Sequence, residues 1–128
     1  MVDPKTVLAH LDELRALTAD DEGAQRVAWS PVWLKARAWF EQKLAALPVE
    51  HHYDAAGNHW VTLKGESEKS LVLGSHLDSV PNGGWLDGCL GVITGLEVLA
   101  SFSTQYNGKP PCTIKLVDWA DEEGARFA

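Results

Sequence analysis

The sequence predicts an α/β fold, a mixed sheet flanked by helices, and three observations carry that prediction. Two stretches near the N-terminus place apolar residues at helical spacing behind cap-plus-proline signals. A hairpin pattern and two short apolar runs follow, with a helical stretch between the runs. Each run leads straight into a group of polar side chains: His76, Asp78 and Asp87 after the first, Asp121-Glu122-Glu123 after the second.

Taken in order, Asp3-Pro4 is a helix cap followed by proline at the first helical position. Val7, Leu8, Leu11, Leu14 and Leu17 then recur at helical spacing. Thr18 to Trp29 is mostly polar and is expected to be loop. Ser30-Pro31 repeats the cap signal and opens a second helix through Val32, Ala36, Trp39, Phe40, Leu44 and Leu47, stopped by Pro48. Val49 to Tyr53 and His59 to Lys64 read as paired strands around the turn Asp54-Ala55-Ala56-Gly57-Asn58. Gly65 to Lys69 reads as a polar turn, and Leu71 to Gly74 as a short strand buried on both faces. Gly88 to Phe102 is helical, Gln105 to Pro111 is loop, and Thr113 to Trp119 is a strand. Strand, helix, strand invites a right-handed parallel crossover, which releases both polar clusters at one sheet edge.

At 128 residues the chain has the length of one ordinary domain. A formal net charge of -7 argues against nucleic acid and against an anionic membrane surface as partners. No apolar run is long enough to span a bilayer, and the N-terminal MVDPKTVLAHLDEL has acids and no apolar signal core. Cys89 and Cys112 are far apart and fit no zinc spacing, so they read as reduced thiols in a cytoplasmic protein.

The polar clusters suggest metal chemistry. His76 and Asp78 are two apart, so in an extended segment they share a side and the carboxylate can hold the imidazole. Asn82-Gly83-Gly84 lets the backbone fold back toward Asp87, whose two oxygens could bridge two ions or merely cap the helix from Gly88. Glu122 and Glu123 point apart if extended, so one can ligate while the other takes a proton from water. Each piece also has an ordinary reading, as a surface pair, a cap or a solvated acidic face. Cys89 reads as packing, His10 as a surface histidine, and His51, His52 and His59 as solvated or structural. Trp29, Trp33 and Trp39 read as core or lid-facing residues, and Trp85 as a loop plug or a pocket wall. Convergence of both clusters at strand ends favours the metal reading.

GSHLDSVPNGGWLDGCLGVITGLEVL followed by DWADEEGARF resembles the amidohydrolase branch of the aminoacylase and carboxypeptidase G-type metallohydrolases. Within that branch the chain is most similar to N-carbamoyl-L-amino-acid hydrolases, with beta-ureidopropionase and allantoate amidohydrolase as relatives. The segments Arg26 to Pro31 and Asp54 to Asn58 resemble family segments too.

The resemblance implies a zinc-peptidase-like catalytic domain and two divalent metal ions, zinc, manganese, cobalt or nickel. It implies that His76 binds one ion with Asp78 orienting it, that Asp87 bridges both ions, and that Glu123 binds the second. Glu122 would be the general base, and Asn82, Gly83 and Gly84 would shape the substrate loop. The implied reaction is hydrolysis of a non-peptide C–N bond in a small N-carbamoyl amino acid, giving amino acid, ammonia and carbon dioxide. Family enzymes are longer, with further ligands, typically histidine, and a lid or dimerisation domain at positions beyond Ala128. Residues 1–128 are therefore expected to form the N-terminal part of the catalytic domain of a homodimeric parent, and to be inactive and poorly stable alone. Two alternatives stand beside this: an allantoate amidohydrolase or related amidase, and a non-catalytic module that binds metal or pairs with another chain.

Overall fold

Asp3 caps the first helix as its position predicts. In the computed structural model, which describes residues 1–127, its carboxylate accepts the Lys5 N–H at 3.0 Å. Helix α1 (Pro4–Thr18) buries Val7, Leu11 and Leu14. Ser30 does the same for α2 (Pro31–Leu44), its hydroxyl accepting the Trp33 N–H at 3.2 Å. Such caps are each worth about 1 kcal/mol.

The stretch expected to be loop between these helices holds a small hairpin, β1 (Ala19–Asp20) and β2 (Gly23–Ala24). The cause is local turn chemistry rather than apolar pattern. The Asp20 carboxylate accepts the Glu22 N–H at 2.9 Å, and Gly23 takes a φ of +137°.

Four strands form the main sheet: β3 (Glu50–Tyr53), β4 (His59–Leu63), β5 (Ser67–Ser75) and β6 (Cys112–Asp118), in the order β3-β4-β6-β5. β3–β4 and β4–β6 are antiparallel, whereas β5–β6 is parallel, so the sheet is mixed as predicted. Helix α3 (Cys89–Gln105) makes the crossover that the parallel pair requires. The register pairs His59 with Asp118, Val61 with Leu116 and Leu63 with Ile114. All six side chains are buried, and they join α1, α2 and α3 in one core. Trp60, Thr62 and Lys115 alternate onto the other face, where Trp60 meets Trp119 edge-on at 5.5 Å.

Two strand expectations are corrected. Leu71 and Val72 are about half exposed, at 53% and 51%, and not buried on both faces. Among the described residues β5 is an edge strand paired only with β6, and its apolar run reports pleated backbone rather than burial. The supposed polar turn is also strand from Ser67, where backbone pairing to Cys112 and a register shift before Ser70 need no apolar side chain. Of the histidines, His59 is fully buried, with its ring edge-on to Phe40 and stacked on Tyr53, so it is structural rather than solvated. Trp33 and Trp39 are core residues, whereas Trp29 is 42% exposed. Trp85 packs on the core under the Arg15 guanidinium. No helix among the described residues is long and apolar enough to cross a membrane.

Gly95 is what lets α3 lie close on β6. A β-carbon there would press on the Leu116 side chain, which is itself fully buried and cannot retreat. Gly95→Val is expected to destabilise the chain by about 1–3 kcal/mol, read as a lower urea midpoint. An unchanged midpoint would show that this packing is looser than described.

Candidate metal centre

β5 and β6 end side by side, with Ser75 paired to Asp118. The Trp119 N–H donates to the Ser75 carbonyl at 2.9 Å, so the strands separate only after that point. Residues 76–88 and 119–127 therefore leave from one edge, as the crossover predicts.

Three buried polar residues hold these loops, and the sequence reading assigned none of them a role. Asp118 is 1% exposed; one of its oxygens accepts the Leu77 N–H at 2.8 Å and the other takes Arg37 Nε at 2.9 Å. Burial pushes its carboxyl up to about 6, against the opposing pull of Arg37. Arg37 comes from α2, donates also to the Gly57 carbonyl at 2.7 Å, and lies 4.0 Å over the Trp33 ring. Arg26 is fully buried. Its Nε donates to the Leu77 carbonyl at 2.6 Å and its Nη2 to the Asp87 carbonyl at 3.4 Å. Its backbone pairs with Ser79 through the Ser79 N–H and hydroxyl. The available signal was faint: a charge on the apolar stripe of α2, and a lone acid ending an apolar strand.

His76 is 8% exposed and Asp78 fully buried. His76 Nδ1 lies 3.0 Å from the Asp78 carbonyl oxygen and 3.4 Å from its carboxylate. Both neighbours are acceptors, so Nδ1 carries the proton and Nε2 faces the loops. Burial alone would lower the His76 pKa, but the Asp78 carboxylate and carbonyl, with Glu122, outweigh it and raise it to about 9. The Asp78 carboxylate also accepts the N–H groups of Glu122 and Glu123, at 3.3 and 3.2 Å. Burial pushes the Asp78 carboxyl up, yet His76 and these N–H donors hold it below its ordinary value.

His76 Nε2 is 3.3 Å from a Glu122 oxygen, and ligand atoms of His76, Glu122 and Glu123 all lie within 4.8 Å of one another. Glu122 therefore stands as close to His76 as a ligand would. Asp87 joins through Glu123: hydrogen bonding to Asp87, then burial, raises the Glu123 carboxyl above its ordinary range. Two carboxyls that face each other repel when both are charged, and a cation between them would relieve that repulsion. The donor set of one imidazole nitrogen and carboxylate oxygens thus fits a divalent ion.

Asp121 has a turn role, with a φ of +54° and a carboxylate that accepts the Arg126 and Phe127 N–H groups. The Asn82-Gly83-Gly84 loop is pinned to the small hairpin. Asn82 exchanges hydrogen bonds with the Gln25 amide, and Gly83 pairs with Ala24. Cys89 is buried, its thiol donating to the Trp85 carbonyl at 2.9 Å.

Residues 58–127, more than half of the chain, match the profile of peptidase family M28. The chain belongs to that family. It is 39% identical over 117 residues to an allantoate amidohydrolase of Escherichia coli K12, across 89% of this chain and 28% of the relative. It is 35% identical to an N-carbamoyl-L-amino-acid amidohydrolase of Pseudomonas sp. NS671, across 92% of this chain and 29% of the relative. The crystal structure of a hydantoinase/carbamoylase family amidase from Burkholderia ambifaria superposes with a TM-score of 0.91 at 30% identity, over 99% of this chain and 32% of that one. The M28 chain thus spans about 30% of the length of the proteins it matches.

Gly88 gives the M28 chain its close approach of His76 to α3. It takes a φ of +69°, and a β-carbon there would sit 2.5 Å from His76 Nδ1. Gly88→Ala is expected to push the ring off Asp78, so that an NMR titration of His76 moves from about 9 toward its ordinary 6.5. A titration that stays near 9 would count against this packing.

Proposed function

We propose that this chain is part of a metal-dependent amidohydrolase that cleaves a C–N bond in a small ureido compound. The observation that carries this is the meeting of His76 Nε2 with the Glu122 and Glu123 carboxylates at one sheet edge. The relatives' names favour two substrate types, an N-carbamoyl-L-amino acid and allantoate. The first is the leading reading on the motif resemblance of the His76–Asp87 loop; the 39% identity to the Escherichia coli allantoate amidohydrolase supports the second.

His76, Asp87 and Glu123 would hold divalent ions, and zinc, manganese, cobalt and nickel all suit such nitrogen and oxygen donors. When bound, such ions supply Lewis-acid polarisation of the substrate carbonyl and make water acidic enough to react. Glu122 is half exposed and hydrogen-bonded through its own N–H to Asp78. Its side-chain oxygen is the group placed to take a proton from the attacking water and return it to the leaving nitrogen. Asp78 keeps the proton on His76 Nδ1, which leaves Nε2 as the ligand atom. The Asn82-Gly84 loop would border the substrate. In this reading residues 1–128 are the N-terminal part of a catalytic domain, and the chain alone is not expected to turn over substrate.

The test is a chimaera in which this chain replaces the matching segment of the Escherichia coli relative. It is expected to hydrolyse ureido substrates with added manganese. Glu122→Gln in that chimaera is expected to lower kcat about 10²–10⁴-fold. Full activity in the variant would remove Glu122 from the chemistry.

The pH dependence of ion binding follows from the proton positions. His76 stays protonated up to about pH 9, and Asp87 beside Glu123 raises the Glu123 carboxyl from its ordinary value. An ion must displace the proton on His76 Nε2. Manganese affinity of the chain is therefore expected to rise as pH approaches 9, with proton release seen by calorimetry in buffers of differing ionisation enthalpy. A pH-independent affinity would contradict this.

A further inference from the structure

We propose that Glu41, His51 and His59 form a second site for a divalent transition ion, sharing no residue with the His76 cluster. The three residues come from three elements, α2, β3 and β4. Their ligand atoms all lie within 4.8 Å of one another. His51 Nδ1 and His59 Nε2 face each other at 3.0 Å. A tetrahedral ion with bonds of about 2.0–2.1 Å holds its donors about 3.4 Å apart. The two imidazoles need only a slight spreading to accept one, and Glu41 must close in.

The surroundings resemble those of a built site. The His59 ring is clamped by stacking on Tyr53, with centroids 4.3 Å apart, and by the Phe40 ring edge-on. The Tyr53 hydroxyl donates to a Glu41 oxygen, which aims that carboxylate as hydrogen-bonded metal ligands are aimed. His51 is exposed, so an ion can enter from solvent. Arg37 lies 5.2 Å from the Tyr53 ring, and its charge is paired with Asp118.

Two imidazoles and one carboxylate with an open fourth position are a donor set for zinc, cobalt or nickel. His59 Nδ1 is buried and has no hydrogen-bond partner among the described residues. A bound ion needs a proton there, and lack of an acceptor for it weakens affinity about 10–100-fold. The site is therefore expected to be saturable but weaker than a closed structural zinc site. Its effect would be to tie the β3–β4 hairpin to α2.

The test uses zinc alone, on the whole chain carrying His76→Ala and Glu123→Gln to disable the other cluster. Calorimetry is expected to show about one equivalent bound, and NMR to show ring signals of both His51 and His59 shifting. Adding His51→Ala and Glu41→Gln, both outside the core, is expected to abolish binding while the far-UV spectrum is retained. A parallel series with only His51→Ala guards against misfolding in the combined variant, and should weaken zinc binding at least tenfold. No saturable zinc binding in the His76→Ala, Glu123→Gln chain would overturn the proposal, leaving a hydrogen-bonded pair. Binding that survives loss of His51 and Glu41 would overturn it equally.

Discussion

The site rests on one buried carboxylate. Asp78 has no exposed surface, so its charge must be met from within the protein. It is met by the His76 ring on one side and by the N–H groups of Glu122 and Glu123 on the other. One side chain therefore joins the loop after β5 to the loop after β6. It fixes which nitrogen of His76 is free and where the two glutamates start. Remove it, and the first loop loses its tie to Glu122 and Glu123, 44 and 45 residues further along the chain.

Asp78 does not stand alone. Asp118 lies close enough for the two charges to repel, and burial already raises it. Arg37 and the Leu77 N–H offset that cost. Arg26 answers from the other side, binding the carbonyls of Leu77 and Asp87, which flank the loop. Buried charges seldom add stability relative to apolar packing, and their more defensible role is to specify one arrangement. Here the arrangement is a short loop folded so that His76 and Asp87 both border the glutamates.

The core was largely legible because its signals are local. Proline and cap residues set the helix starts, and alternation of Val61 and Leu63 against Trp60 and Thr62 set the inner face of β4. The failures share a cause. β1, β2 and the start of β5 form by turn chemistry and backbone pairing, which leave little apolar trace. Leu71 and Val72 carry the trace without the burial, because an apolar run does not say whether both faces are covered. His59 was ambiguous for the opposite reason. A histidine beside a turn reads as solvated until Tyr53 and Phe40 are seen around it.

By itself the sequence determined that ligand-type residues follow two strands, and which family the chain resembles. Strand ends, glycines and acids are properties of a few consecutive residues, so they can be read along the chain. Only the tertiary structure decided that Asp78 spans both loops, that Glu122 lies as near His76 as a ligand would, and that Arg26, Arg37 and Asp118 hold the loops in place. It also decided that Glu41 of α2 meets His51 and His59 of the hairpin, rings that the sequence left as solvated or structural. These are relations between residues far apart in sequence, and burial is what makes them matter. A charge or imidazole removed from water must find its partner across the fold, and no local pattern records which partner that is.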